Sequence, residues 1–308
     1  MKSRPLANTG LTVSEIALGT VELGMEYGFR GSAYYSPPSC DDAVVLLRRA
    51  FDLGITLFDT APTYGSGEAL LGRAFDGASD RPCIATKVIV PGDDRAAGLI
   101  AASIESSLRS LRVEAIDILQ IHNTTVETLE REDVMNALYT AQRLGKVGWL
   151  GVSVDNDAPA LRALCTEGIK TVQLPFNLLN QSSRSLVFPG AAKSGRSILV
   201  RSAYLRGVLT SRLDSIPDKL SELRRFAQDA FAVAQREANT LAEAALRFCL
   251  SFAPVASVII GVKTIAELES NLRDADRGAL SPSTVEALAA FAVEDKTLVN
   301  PIHWGGLI

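Results

Sequence analysis

Four side chains, far apart along the chain, are of types suited to moving a proton: Asp59, Tyr64, Lys87 and His122. Asp59 sits at the end of the apolar run "ITLFDT", and Tyr64 follows within the turn "APTYGSG". Lys87 lies at the end of "CIATKV", and His122 closes "AIDILQIH". A phenol with an ordinary pKa of about 10 is a poor acid at neutral pH. An ammonium beside it favours the phenolate and lowers that pKa. A carboxylate paired with the ammonium keeps it charged and in place. An imidazole beside the phenol can orient a carbonyl oxygen or share the proton. Together they suit protonation of the oxygen of a C=O while a hydride arrives at carbon. Each residue also has a plain structural role open to it. Asp59 could cap the turn before Thr-Ala-Pro, Lys87 could be a solvated charge, Tyr64 a packed loop aromatic, and His122 a satisfied core histidine. The chemistry exists only if a fold gathers all four.

The elements that would gather them are legible as short apolar, β-branched runs. Strands are expected at Glu15–Thr20, Ile55–Thr60, Cys83–Val88, Ala115–His122, Trp149–Val154, Thr171–Pro175, Ser197–Ser202 and Ser257–Val262. The runs are continuous more than alternating, which suits strands covered on both faces of a parallel sheet. Helical patterns lie between them. "DDAVVLLRRAFDLG" opens on a capping aspartate and closes on Gly54, and "AAGLIAASIESSLRSL", "REDVMNALYTAQRLG" and "APALRALCTEG" behave similarly. Eight strands alternating with helices predict an α/β fold, a (β/α)8 TIM barrel. The competing architecture, an open doubly wound sheet, lacks its GxGxxG after the first strand. "RPLANTGLTVSEI" predicts a β-hairpin ahead of the barrel. Extra helices are expected before and after the last strand. No Ser/Gly linker interrupts the chain, so residues 1–308 read as a single domain. In such a barrel the strand ends share one rim. Asp59, Lys87 and His122 end the second, third and fourth strands, and Tyr64 lies in the loop just after Asp59.

Composition narrows the partners. A net charge of -4 and a pI near 5.4 disfavour nucleic-acid binding, which needs a basic face. The longest apolar stretch, Phe248–Val262, is too short to span a bilayer and is broken by Pro254. No secretion signal is visible at "MKSRPLANTG", and Cys40, Cys83, Cys165 and Cys249 form no CxxC pair. Buried, reduced thiols in a cytoplasmic protein are the expectation. With only two histidines, no metal site is expected.

The pieces "FDTAPTYGSGEALLG", "IATK", "ILQIHN", "GVS", "VQLPFN", "RSAYLRGVLT" and "IIGVKTIAELESN" make the sequence resemble the aldo-keto reductase family. They lie in the family's order over nearly the whole chain. The resemblance implies a catalytic tetrad of Asp59, Tyr64, Lys87 and His122. Tyr64 would be the general acid, Lys87 would lower its pKa, Asp59 would pair with Lys87, and His122 would orient the substrate carbonyl. It also implies a nicotinamide cofactor held along the same rim without a Rossmann domain. Ser153 and Gln173 match residues that hold its carboxamide, and Gly19 and Thr20 match the loop after the first strand. Arg201, Ser202, Tyr204 and Arg206 fall in the matching segment after the seventh strand. Gly261, Lys263, Thr264, Glu267 and Asn271 fall on positions for the adenosine end, where a helix start also favours an anion.

Three departures from the family pattern bear on detail. Val154 stands where an asparagine is common, so one amide contact to the nicotinamide is either missing or supplied by Asn156. Arg201 stands where an aromatic commonly stacks on the nicotinamide, and a planar guanidinium can also stack. Glu267 lies where the family often has Arg or Gln near a 2′-phosphate; Lys263 pulls the other way. NADP(H) is favoured, with NAD(H) as the alternative. The implied activity is reduction of an aldehyde or ketone, a sugar or sugar-derived carbonyl among them, or the reverse oxidation of an alcohol. The competing function is a cofactor-loaded regulatory or scaffold subunit, like the potassium-channel β subunits that resemble this family. Substrate and oligomeric state stay open. The aromatic loop Glu22–Ser39 suits sugars or flat rings.

Overall fold

The computed structural model describes residues 1–32, 34–92 and 95–308. Ala33, within the aromatic loop, lies outside the described residues. Two short strands, β1 (Ser3–Pro5) and β2 (Thr12–Ser14), pair antiparallel as the expected hairpin. Eight parallel strands follow: β3 (Ile16–Gly19), β4 (Leu57–Asp59), β5 (Cys83–Val88), β6 (Ile116–Ile121), β7 (Val147–Ser153), β8 (Ile169–Pro175), β9 (Ser197–Arg201) and β10 (Val255–Ile260). They pair in chain order, and β10 returns to β3 to close the barrel. Helices alternate with them, and the long interval before β10 holds two, Ser221–Ala234 and Leu241–Leu250. Ile265–Asp276 and Pro282–Leu288 follow β10.

The expected strands are all present, with ends shifted by at most two residues. Thr20, Thr60, His122 and Val154 fall just past their strands, yet each backbone N–H still reaches the neighbouring strand at 2.8–2.9 Å. The first long helix runs Cys40–Asp52, and its cap is Ser39, whose hydroxyl accepts from the Asp42 N–H. The expected aspartate cap is therefore displaced by the residue ahead, which has the extended backbone that a capping residue needs. All four cysteines are free thiols, but the expectation that they are buried holds only for Cys249. Cys40 and Cys165 are exposed, because both lie at helix ends.

Two apolar layers give the barrel its polarity. The larger packs strands against the helix ring. The smaller fills the barrel's lower interior: Ala17, Leu57, Ala85, Ile118 and Leu199 point inward, and Leu6 and Val13 of the hairpin join them from below. Side chains on a strand alternate faces, so the next inward position is two residues on. Leu57 is therefore followed by Asp59, Ala85 by Lys87, and Ile118 by Gln120. A polar storey lies directly above a sealed apolar one, at the C-terminal ends of the strands.

Candidate active site

The polar storey is tightly held. Lys87 is 1% exposed and Asp59 4%. The Lys87 ammonium donates to both Asp59 oxygens, at 2.8 and 2.7 Å, and to the Thr60 carbonyl at 2.9 Å. These contacts hold the ammonium in place, and it is hydrogen-bonded to Tyr64 as well. Burial alone would strip the charge, but the Asp59 carboxylate and Tyr64 outweigh it and hold the Lys87 pKa above the ordinary lysine value. The lysine stays an ammonium, with its nitrogen 4.8 Å from the centre of the Tyr64 ring.

Tyr64 is placed by its loop. The Gly67 N–H donates to the Tyr64 carbonyl at 2.9 Å, and Ser66 N–H donates to Gly24 O at 3.1 Å. Gly65 has φ +56, and a Cβ there would come within 2.2 Å of the Gly24 carbonyl oxygen. The two backbones touch, so glycine is required on both steric and conformational grounds. The Tyr64 ring meets His122 edge-on, with centroids 6.0 Å apart and planes at 85°. Burial, and then the Lys87 charge, push His122 down to about 4. Its imidazole is neutral at physiological pH.

Gln120, which no sequence motif marked, is fully buried between these groups. Its amide donates to Asp59 at 3.3 Å, and the Gln173 amide donates to the same oxygen at 2.7 Å. Ser153 Oγ donates to Gln173 Oε1 at 3.3 Å. Ser153 and Gln173 thus extend the storey from Asp59 to the cleft wall. The two-residue alternation from Ile118 was the signal available for Gln120.

A cleft of about 480 Å³ opens above this floor. Of the predicted site residues, Asp59, Tyr64, His122, Gly19, Ser153, Gln173, Arg201, Ser202, Tyr204, Arg206 and Gly261 line it. Lys87 lies beneath. Thr20 is buried behind the wall, bonded to Thr60 at 2.8 Å. Asn271 is the partner of the Tyr204 hydroxyl, at 2.9 Å. Thr264 caps the helix Ile265–Asp276, and Glu267 reaches back to the Lys263 N–H at 2.9 Å. The other Glu267 oxygen pairs with Arg212 at 2.9 Å. The Lys263 ammonium donates to the carbonyls of Tyr34 and Ser36. Asn156 is at a helix start and does not line the cleft, whereas its neighbour Asp155 does.

Glu22, Tyr27 and Arg212 also line the cleft, and nothing in their spacing marked them as site residues. Arg206 lies over the Tyr27 ring at 4.0 Å and Arg212 over Tyr34 at 3.8 Å. Burial raises the Glu22 carboxyl pKa, against the pull of Arg212 and Lys263. The buried Arg206 Nε has no hydrogen-bond partner among the described residues. A cation with an unused donor in the cleft lining suits an anionic group such as the diphosphate of a dinucleotide. A wider depression of about 710 Å³ at the opposite end, lined by Arg4, Asn8 and Arg196, has no carboxylate, histidine or tyrosine in its lining. Among the described residues no cluster of potential metal ligands occurs, and no helix is long and apolar enough to cross a membrane.

The buried Lys–Asp pair thus lies against Tyr and His at the C-terminal rim of a closed parallel barrel. The Aldo/keto reductase family profile matches residues 15–292, and the chain belongs to that family. It is 27% identical over 293 residues to an L-galactose dehydrogenase of Arabidopsis thaliana, covering 87% of this chain and 86% of that one. Its fold matches the holo form of the aldo-keto reductase AKR11C1 from Bacillus halodurans with a TM-score of 0.81, at 23% identity, over 97% of this chain and 99% of that one. The glycerol dehydrogenase AKR11B4 from Gluconobacter oxydans gives a TM-score of 0.75 at 26% identity, covering 94% of each. Aldo-keto reductases are oxidoreductases of carbonyl or alcohol substrates and use nicotinamide cofactors.

Proposed function

We propose that this chain reduces an aldehyde or ketone to an alcohol, or runs the reverse, with NADP(H) as the preferred cofactor and Tyr64 as the general acid and base. When bound, the nicotinamide supplies or accepts the hydride. The observation that carries the reading is the direction of the Lys87 ammonium. The ammonium is held by Asp59 and Thr60 and bonded to Tyr64, so its charge stays beside the Tyr64 ring. As Tyr64 gives its proton to the carbonyl oxygen, negative charge grows on the phenol oxygen next to a fixed positive charge that needs no rearrangement. His122, neutral, has an N–H to hold the carbonyl oxygen without competing as an acid. Arg201 presents a planar guanidinium to the cleft, suited to lying against a flat ring.

The preference for NADP(H) rests on charge in the outer arm. Arg206, Arg212 and Lys263 face two carboxylates, Glu22 and Glu267, and burial disfavours the charge on Glu22. The balance is positive. A sugar or sugar-derived carbonyl is the substrate class that agrees with the L-galactose dehydrogenase and glycerol dehydrogenase relatives.

The test is Tyr64→Phe, which keeps the ring and removes the proposed proton donor. Consumption of NADPH with a panel of aldehydes and keto sugars should fall at least ~100-fold, the range of general acids, with cofactor affinity nearly unchanged. Wild-type turnover in the variant would remove Tyr64 from the mechanism. A wild-type chain that binds NADPH yet reduces nothing in the panel would favour a regulatory subunit.

A further inference from the structure

The cleft contains a charged pair, Arg201 and Asp155, whose carboxylate the proposed reaction does not use. Arg201 ends β9, and Asp155 follows β7 two strands away. One Arg201 Nη2 donates to the Val154 carbonyl at 3.1 Å and to Asp155 Oδ1, and Nη1 lies 3.5 Å from the Ser202 hydroxyl. Both residues line the cleft together with His122, and their side chains keep 25% and 30% of their exposure. Both charges act on the His122 imidazole, which shares the cleft lining with them.

Part of the pair is unused. Among the described residues no hydrogen bond involves Asp155 Oδ2 or Arg201 Nε. The wall therefore carries a charged acceptor and a charged donor, fixed to each other, in the cleft that the carbonyl-handling imidazole also lines. An aldehyde with an alkyl chain offers neither group a partner. Seating it there would desolvate both without compensation, which is unfavourable for charged groups. Two hydroxyls on neighbouring carbons do offer partners: one donates to the carboxylate and the other accepts from the guanidinium. Asn300 lines the same cleft, and its side-chain oxygen already accepts from Ile302 N–H, which leaves the amide protons for a further hydroxyl.

We infer that Asp155, held by Arg201, is a specificity-determining residue that binds a vicinal diol next to the reacting carbonyl, so that the substrates are polyhydroxylated aldehydes or ketones. The inference rests on the reductase reading and names its substrate class by the wall that recognises it.

Glyceraldehyde and propanal share a three-carbon chain and differ by the two hydroxyls, which makes them the probe pair. The quantity to measure is the ratio of their kcat/KM values for the wild type, Asp155→Asn and Asp155→Ala, with NADPH. Intrinsic reactivity cancels when the ratio is compared between variants, and so does any loss of folded enzyme. The wild type should prefer glyceraldehyde, and the ratio should drop by about tenfold or more in both variants, as expected when a charged partner of a substrate hydroxyl is removed. A ratio that stays constant while both activities fall would make Asp155 only a support for Arg201 and overturn the inference. A ratio that stays constant with both activities unchanged would make it a solvated rim charge and overturn the inference equally. In either case the reductase reading survives. If the wild type reduces neither aldehyde nor any carbonyl of the wider panel, the reductase reading fails and takes this inference with it.

Discussion

The floor of the cleft and its outer arm are both built from charges, but they are held in different ways. In the floor, Asp59 and Lys87 come from adjacent strands, are at most 4% exposed, and meet at 2.7–2.8 Å. Their spacing follows from strand alternation, and nothing around them can relax. In the arm, Arg206 and Arg212 rest on loop tyrosines, and Lys263 is tied to loop carbonyls. Those residues are half-buried, and the Arg206 Nε is left without a hydrogen-bond partner among the described residues. Strand geometry dictates position in the floor, whereas a ligand has room to rearrange the arm. Substitutions in the floor should be severe and all-or-none, and those in the arm small and graded.

The sharpest test of that contrast is Lys87→Met. It keeps much of the stem and removes the ammonium, leaving Asp59 buried without its partner. Breaking a buried pair on one side costs about 3–5 kcal/mol, so denaturant unfolding should shift strongly, and carbonyl reduction should fall with it. A stable, active Lys87→Met enzyme would mean that the floor tolerates rearrangement as freely as the arm, and the comparison would collapse.

The same contrast governs what could be read in advance. The eight strands were legible because each is a continuous apolar run covered on both faces, and Asp59, Lys87 and His122 stood out because they fall at the ends of those runs. Gln120 was passed over because it sits within "ILQIH" among apolar neighbours, where nothing but the two-residue period from Ile118 marks it as inward-facing. The arm was legible only in part. Lys263 and Glu267 stood out as charges at a helix start, but their partners could not be found by spacing. Lys263 meets Tyr34 and Ser36, more than 220 positions away in the chain, and Arg212 meets Tyr34 across a loop with no periodicity to follow. The stack of Phe29 on Trp304, with ring centroids 5.5 Å apart, ties the aromatic loop to the C-terminal segment in the same unpatterned way.

A second test uses protons and sits at the boundary between the two regions. Burial and the Lys87 charge pull His122 from the ordinary 6.5 to about 4. A depressed folded pKa means that the unfolded chain takes up the proton first as pH falls. The His122 contribution is therefore fully present above 6.5 and is lost as pH drops toward about 4. Wild-type stability should decline across that window, by roughly 1–2 kcal/mol from this group after allowing for solvent at the half-buried ring. Urea unfolding of His122→Asn against the wild type at several pH values measures it. Parallel curves would show that His122 is not coupled to the floor, and would place it with the graded charges of the arm.

The smallest effect is expected from Glu267→Gln, and it decides the cofactor. Glu267 has two engagements: one oxygen pairs with Arg212, and the other accepts from the Lys263 N–H. Glutamine at the third position of a capped helix can keep the second bond, so the helix should lose little. The first is weakened, which frees the Arg212 guanidinium, and a negative charge leaves the neighbourhood of a 2′-phosphate. Both changes favour NADP(H), which should bind tighter by roughly 1 kcal/mol, about fivefold, as for a partly exposed charge pair. NAD(H), lacking the phosphate, should change less. Isothermal titration of both cofactors against both proteins separates the outcomes. If the wild type prefers NAD(H) and the variant loses that preference, Glu267 is a ribose ligand and the assignment to NADP(H) is wrong. If neither cofactor responds, the Arg212–Glu267 pair is as rigid as the floor, and the division between a fixed floor and an adjustable arm has to be drawn further out along the cleft.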